Sequence, residues 1–132
     1  MSTPPEDIPQ AFADAITRSD VEAGVALCHP EVEFTSMLDM RGRAYRGHQG
    51  IREYFDDIES AWSEWKVELH EVAVGEDGRV ALVMTMHVRG KGSGATLTDT
   101  AAHVWTLRDG RLWRNRLYRE PQDALRDIGA EA

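Results

Sequence analysis

Three side chains along this sequence have groups suited to chemistry on a small molecule. Asn115 lies in an alternating run near the C-terminus, and its amide can either fix a carbonyl or hydroxyl group of a ligand or make a structural hydrogen bond across a sheet. Asp39 and Tyr45 belong to an irregular segment, where they either fold inward as proton donors or acceptors or stay solvated on a loop. Asn115, Asp39 and Tyr45 are therefore the candidate catalytic residues.

Two histidines offer a second arrangement, and strand parity decides whether it exists. His87 and His103 fall in neighbouring alternating runs, and a slip of one residue exchanges the two faces of a strand. If both rings face inward, they can form a proton-transfer pair with Asp99. In the register that we favour, His103 instead lies with Trp105 and Leu107 on the outer face of the sheet.

The composition predicts one domain with an acidic surface. The 132 residues can bury roughly two thirds of their unfolded surface, so we expect a single domain over 1–132 with flexible ends at 1–7 and 129–132. A net charge of -8 disfavours nucleic acid and anionic membranes as partners. Cys28 is the only cysteine, so no intrachain disulfide can form and a cytoplasmic location is expected. Metal-ligand spacing is absent from the sequence, and we predict no metal and no other cofactor.

The N-terminal part predicts two helices and a strand. Apolar residues over 8–16 recur at helical spacing. Ser19 or Asp20 can cap a second helix, which ends before Pro30 because proline disfavours helical geometry in the preceding residue. Residues 31–35 then alternate as a strand.

The central part predicts one long helix after an irregular loop over 36–46. Its entry is Tyr45-Arg-Gly-His-Gln-Gly-Ile-Arg-Glu-Tyr-Phe55. Bulky apolar groups recur there at spacings of three and four, at Ile51, Tyr54, Phe55, Ile58 and Trp62. A stripe of this bulk must cover another layer of structure.

The remainder predicts four strands joined by hairpin turns. The strands span 66–74, 79–89, 95–108 and 111–119, the second and third are separated by Gly90-Lys-Gly-Ser-Gly94, and a short helix follows over 121–128. Asp109-Gly110 between alternating runs is a strong hairpin signal, because glycine accepts the positive backbone angle of the turn. A curved sheet wrapped on one long helix leaves a cavity between them, which we expect to be the site.

The favoured register, which burial suggests and the family resemblance given below also implies, predicts an apolar lining for a bulky hydrophobic ligand. It turns Thr98, Thr100, Ala102 and Val104 toward the cavity. The predicted ligand-binding residues are Phe12, Phe34, Tyr54, Phe55, Ile58, Trp62, Met84, Met86, Trp113, Leu117 and Arg119. Among them, Arg119 lies at the rim and can attract an anionic group. The alternative is that these side chains form only a packed core.

Three motifs and the order of the elements carry a family resemblance. The motifs are the helix entry over 45–55, His103-Val-Trp-Thr-Leu-Arg-Asp-Gly110 and Tyr118-Arg-Glu-Pro-Gln-Asp-Ala-Leu125. Over nearly its whole length the chain resembles the SnoaL-like branch of the nuclear-transport-factor-2-like superfamily. The resemblance implies an α+β fold, in which a curved, mainly antiparallel sheet wraps around a long helix as a cone-shaped, cystatin-like α+β barrel. It also implies a homodimer through the outer sheet face that carries His103, Trp105 and Leu107.

The superfamily includes ketosteroid isomerases, limonene epoxide hydrolases, polyketide cyclases, dehydratases and non-catalytic binding proteins, but their catalytic acids are not matched. The positions of the steroid isomerase tyrosine, base and protonated aspartate hold Phe12, Phe34 and Ala102. The positions of the epoxide hydrolase residues hold Met84, Met86 and either Asn115 or Leu117. The resemblance therefore implies the fold and leaves the activity open.

Two classes of function follow from the sequence. In the first, the protein binds a bulky hydrophobic molecule and, if it is an enzyme, catalyses isomerisation, cyclisation or dehydration without a metal. In the second, it is a non-catalytic ligand-binding or dimerisation module.

Overall fold

The computed structural model describes residues 4–38 and 42–129. The candidate Asp39 and the outermost residues of both predicted flexible ends lie outside the described residues. The elements in chain order are α1 (Asp7–Arg18), α2 (Val21–Ala26), β1 (Cys28–Thr35), β2 (Ala44–Arg46), α3 (Gly47–Ala61), β3 (Trp62–Val74), β4 (Val80–Gly90), β5 (Thr96–Arg108), β6 (Arg111–Tyr118) and α4 (Pro121–Asp127). Within the described ranges, no helix is long and apolar enough to cross a membrane.

The six strands form one curved, open sheet with the order β2-β1-β6-β5-β4-β3. Neighbouring strands are antiparallel except β1 and β6, which are parallel. The helices α1 and α3 lie against one face of the sheet, and their apolar stripes pack with it into the main core. The predicted α+β fold with a curved, mainly antiparallel sheet is confirmed.

The two N-terminal helices form as their caps predict. The left-handed backbone of Ser19 ends α1, and the Asp20 side chain accepts a hydrogen bond from the Ala23 amide at 3.1 Å to begin α2. The helix α2 ends at Ala26, before Pro30, but β1 begins at Cys28 and already contains Pro30, so the strand starts earlier than the predicted residue 31. Proline is tolerated in a strand where its nitrogen has no ladder bond to make.

The long helix α3 is positioned by close contact with the strands before it. A Cβ atom at Gly50 would lie 2.9 Å from the carbonyl carbon of Tyr45, so only glycine allows α3 to approach β2 this closely. His48 Nε2 lies 2.8 Å from the Cys28 carbonyl oxygen, which it can reach only as a donor. Trp62, predicted on the helical stripe, instead begins β3.

The hairpin turns decide which strand residues face the helices. Asp109 and Gly110 both have positive φ, 54° and 71°, as the predicted two-residue turn requires. Between β4 and β5, the Gly90 amide donates to the Ala95 carbonyl at 2.8 Å, so Gly90 is opposite Ala95 and this hydrogen bond closes a turn of the four residues 91–94. The predicted strands left the five residues 90–94 between them. A loop shorter by one residue reverses the face of every residue on one of the two strands.

The observed register confirms the predicted face of β4 and corrects that of β5. Met84 pairs with Ala101 and Leu82 with His103, so odd-numbered residues of β5 face the main core. Ala102 and Val104 pack instead against α4 in a second apolar cluster. Thr98 and Thr100 also lie on the outer face, hydrogen-bonded toward His87 and Thr85 respectively. The two histidines are therefore on opposite faces, and the proposed inward pair of His87 and His103 does not form.

Candidate ligand-binding site

A narrow cavity lies between α1, α3 and the inner face of the sheet. Its volume is about 20 Å³, which is room for about one water molecule. Its lining is Pro9, Phe12, Ala13, Ile16, Phe34, Ser36, Met37, Tyr54, Val67, Met84, Met86, His103 and Trp105. Most of the lining is aromatic or aliphatic, with polar groups only on Ser36, Tyr54 and His103 and the indole of Trp105.

Aromatic rings form the wall of the cavity on the side of β1 and β5. The ring of Phe34 stacks on Trp105 with centroids 5.6 Å apart and an angle of 6° between the planes. The same ring is 6.0 Å from the imidazole of His103 and 4.8 Å from Tyr54. Packing of this kind holds the His103 and Tyr54 rings in fixed positions.

The side chain of Asn115, on β6, contacts both His103 and the backbone of Thr35 at the end of β1. The Asn115 Nδ2 atom lies 2.8 Å from His103 Nδ1 and 2.9 Å from the carbonyl oxygen of Thr35. Its Oδ1 atom accepts the Thr35 amide hydrogen at 2.8 Å. Asn115 thus makes the cross-sheet structural hydrogen bonds that were one of its two predicted roles.

Burial keeps the His103 imidazole neutral at neutral pH. Loss of solvation lowers its pKa to about 4, and the positive charge of Arg119 acts in the same direction. Arg119 itself is bound to Asp99 at 2.7 Å and to the carbonyl oxygen of Met37 at 3.3 Å. Arg119 is not in the lining itself, and its rim position stays a prediction; its guanidinium is engaged by a carboxylate.

Tyr54 and Ser36 supply the hydroxyl groups of the lining. Burial raises the pKa of Tyr54 well above its usual range, and the nearby Ser36 hydroxyl only partly offsets this effect. The Ser36 oxygen also accepts the Leu38 amide hydrogen at 3.1 Å. At neutral pH the cavity therefore presents a neutral phenol, a neutral imidazole and a hydroxyl.

Most of the predicted ligand-binding residues are in or behind this wall. Those that line the cavity are Phe12, Phe34, Tyr54, Met84 and Met86. Phe55 and Ile58 are buried in the same core behind the lining, and Trp62 and Leu117 pack against that core while partly exposed.

The prediction that Trp113 faces the cavity was wrong. A bulge between Thr106 and Leu107 leaves Trp113 as the extra residue of β6, and its neighbour Leu112 takes the inward position. The guanidinium carbons of Arg108 and Arg114 lie 5.2 and 4.5 Å from the centroid of its indole ring.

Tyr45 is buried but does not line the cavity. Its hydroxyl donates to Asp57 Oδ2 at 2.7 Å. The Arg43 guanidinium donates to the Tyr45 hydroxyl oxygen and to the same Asp57 oxygen, each at 2.6 Å. Burial raises the pKa of Tyr45, with the adjacent Asp57 contributing in the same direction. These contacts place Tyr45 in a polar network between β2 and α3.

The sequence interpretation missed the inward position of His103 and Trp105. Only 4% of His103 and 2% of Trp105 is exposed, so neither can form the outer dimer surface that was predicted, and Leu107 also packs against the main core. The run from Ala101 to Trp105 has apolar residues on both faces of β5, so alternation alone did not show which face is inward. Only the loop length before it could assign the faces.

The family comparison agrees with this architecture. The family model described as SnoaL-like domain matches residues 10–115. The chain belongs to the SnoaL-like domain family. None of the curated proteins compared with the chain matches it.

Three solved structures are similar to this chain in fold over most of its length. TerC, co-crystallised with polyporic acid, is 25% identical with a TM-score of 0.75, covering 96% of this chain and 98% of that chain. RV0760c from Mycobacterium tuberculosis, in complex with estradiol-17beta-hemisuccinate, is 18% identical with a TM-score of 0.73, covering 88% and 94%. The epoxide hydrolase/cyclase-like enzyme SalBIII, with a role in pyran ring formation in polyether salinomycin, is 19% identical with a TM-score of 0.73, covering 86% and 88%.

Proposed function

We propose that this SnoaL-like protein binds a small, mainly hydrophobic molecule between α1, α3 and the sheet, and orients it through an oxygen atom. The observation that carries the proposal is the meeting of Tyr54, Ser36 and His103 on an otherwise aromatic and thioether lining. A few placed polar groups in an apolar cavity are typical of small-molecule sites, because the apolar wall supplies affinity and the polar groups fix orientation.

The size of the cavity sets a condition on binding. Ligand sites usually have volumes of roughly 300 Å³ or more, and the present cavity is about 20 Å³. Met37, Met84 and Met86 line it, and methionine changes shape with little strain because its chain is unbranched. Binding is therefore expected to displace these side chains.

The ligands of two similar structures support the class of compound. TerC was crystallised with polyporic acid and the mycobacterial protein with an estradiol hemisuccinate. We propose a ligand of the same general kind, bulky and hydrophobic with polar oxygen atoms.

Catalysis of isomerisation, cyclisation or dehydration is a second candidate function. The neutral phenol of Tyr54 and the imidazole of His103 are donors of the kind that stabilise a developing negative charge on a substrate oxygen. Among the described residues, the cavity lining has no carboxylate that could act as a general base. Asp39 stays a prediction for that role, whereas Tyr45 is outside the lining and its hydroxyl is bound to Asp57.

The proposed compartment is the cytoplasm, because the lone Cys28 thiol is buried and forms no disulfide. Self-association also stays a prediction. The surface formed by His103, Trp105 and Leu107 is not available for it, and sedimentation velocity would measure the state directly.

Binding can be tested by titrating the isotope-labelled protein with polyporic acid and with estradiol-17beta-hemisuccinate. We expect saturable shifts of backbone resonances in the residues that line the cavity. Ala13→Leu fills the cavity from α1 and should weaken binding by about tenfold or more. Ala61→Leu, at the exposed end of α3, is the matched control and should leave the affinity unchanged.

Two results would contradict the binding proposal: resonance shifts that cluster away from the cavity, or equal ligand affinities for Ala13→Leu and Ala61→Leu. The catalytic candidate needs a further observation, the conversion of a probe to a product at a rate that falls in Tyr54→Phe. Binding without conversion would favour the non-catalytic function.

A further inference from the structure

The orientation of the Asn115 amide is determined by the backbone of Thr35. The Thr35 amide is a donor, so the Asn115 atom that meets it at 2.8 Å must be the oxygen. The Thr35 carbonyl is an acceptor, so the atom that meets it at 2.9 Å must be the nitrogen. Rotating the amide by half a turn would set donor against donor and acceptor against acceptor, so the assignment does not depend on His103.

This orientation determines where His103 carries its proton. The Asn115 Nδ2 group can only donate, and it lies 2.8 Å from His103 Nδ1. Nδ1 must therefore be the accepting nitrogen, and the neutral ring has its hydrogen on Nε2. The low pKa of the buried ring, about 4, is consistent with this neutral form.

The Nε2 edge is the part of His103 that remains for a ligand. The ring lines the cavity, its Nδ1 edge is turned to Asn115, and one face is covered by Phe34. Among the described residues, no side chain is hydrogen-bonded to Nε2. Arg119, whose charge acts on His103, is paired with Asp99 at 2.7 Å.

We propose that Asn115 is a positioning residue that holds His103 as the Nε2–H tautomer, so that the cavity selects ligands presenting a hydrogen-bond acceptor, such as a ketone or enolate oxygen, at this point. The inference rests on the proposed binding function and adds that, in the hydrogen bond with the ligand, His103 is the donor and the ligand is the acceptor. A ligand that offers only a donor at this point would leave two hydrogens facing each other.

The tautomer can be measured without any ligand. Long-range proton–nitrogen correlation spectra at pH 7 should show His103 Nε2 as the protonated nitrogen and Nδ1 as the unprotonated one. In Asn115→Asp, the carboxylate only accepts, so Nδ1 should become protonated. A protonated Nδ1 in the unchanged protein would overturn the role of Asn115, whether or not the variant folds.

The selectivity can be measured with two probes of the same shape. Acetophenone has a carbonyl oxygen where α-methylstyrene has a CH₂ group. We expect the unchanged protein to bind the ketone about tenfold more tightly, and we expect this preference to fall to nearly one in Asn115→Asp and in His103→Phe. Trp113→Phe, outside the cavity, should keep the full preference and serves as the aromatic control.

The two readouts separate the possible failures. If both probes bind the unchanged protein equally, the acceptor selectivity is wrong although the binding function stands. If neither probe binds and no shift appears with the larger ligands, the binding function and the selectivity both fail, and the tautomer alone still decides whether Asn115 positions His103.

Discussion

At the residue scale, burial changes the pKa of His103 more than any single neighbouring group does. Loss of solvation is the main cause of its lowered pKa, and Arg119 adds to the effect. A neutral imidazole with a pKa near 4 is a weak base at neutral pH, but its N–H remains a hydrogen-bond donor. The residue is therefore better suited to orienting a ligand oxygen than to removing a proton.

The buried His103 also predicts a dependence of stability on pH. The folded-state pKa is about 4, below the ordinary value of 6.5, so the unfolded chain binds a proton that the folded protein does not. This contribution is fully present above pH 6.5 and is lost as the pH falls toward 4. Urea denaturation at intervals of pH should show a loss of up to about 3 kcal/mol in the free energy of unfolding over this window.

The matched variants for this measurement are His103→Gln and His87→Gln. The first should flatten the pH dependence between 6.5 and 4.5, whereas the second changes an exposed histidine on the opposite face. Equal slopes for the unchanged protein and His103→Gln would show that His103 is not the group that titrates.

At the element scale, the position of α3 depends on two glycine contacts that leave no room for a side chain. Gly50 lets α3 approach β2 at Tyr45, and Gly24 of α2 leaves space for the ring of Phe55 on α3. Both contacts bring the aromatic side of α3 onto the sheet, where Tyr54 reaches the cavity.

Gly50→Ala should destabilise the protein although alanine is the better helix former. Alanine usually stabilises a helix interior by about 0.5–1 kcal/mol relative to glycine. Here its Cβ would lie 2.9 Å from a backbone carbon of Tyr45, which cannot rotate away. We expect a net loss of about 1–2 kcal/mol by urea denaturation.

The neighbouring Gln49→Ala is the control for this prediction, because Gln49 is exposed on the same turn of α3. Its free energy of unfolding should change by no more than about 0.5 kcal/mol. A Gly50→Ala protein as stable as Gln49→Ala would mean that β2 and α3 separate easily.

At the scale of the whole molecule, the cavity between α1, α3 and the sheet is small, so a ligand there must compete with the packing of the core. The cavity of about 20 Å³ is bordered by aromatic rings that contact one another and by three methionines. The free energy of binding must therefore exceed the cost of moving these side chains, and a variant with more space should bind small probes more tightly.

Met84→Ala tests this competition between packing and binding. Removing most of a buried thioether should lower the free energy of unfolding by about 2–4 kcal/mol and increase the affinity for acetophenone, as measured by denaturation and calorimetric titration. Leu97→Ala, at a side chain that is 49% exposed, should change both quantities much less. Unchanged or weaker binding in Met84→Ala would place the probe elsewhere.

Local features of the sequence determined the elements and the family. The apolar stripes of α1 and α3, the Asp20 cap and the Asp109-Gly110 turn act within a few residues of themselves, so they predicted the observed helices and hairpins. Together with the element order, they were sufficient for the α+β fold and the SnoaL-like resemblance.

Only the tertiary structure decided which groups meet at the cavity. Side chains alternate along a strand, so one residue fewer in the turn before β5 placed His103 and Trp105 on the inner face. One extra residue in β6 placed Trp113 outside the cavity lining. The contact between Asn115 and Thr35 joins residues 80 positions apart, and no local pattern encodes it. This contact fixes the orientation of the Asn115 amide, whose Nδ2 group donates to His103 Nδ1. It therefore decides which nitrogen of the imidazole carries the hydrogen.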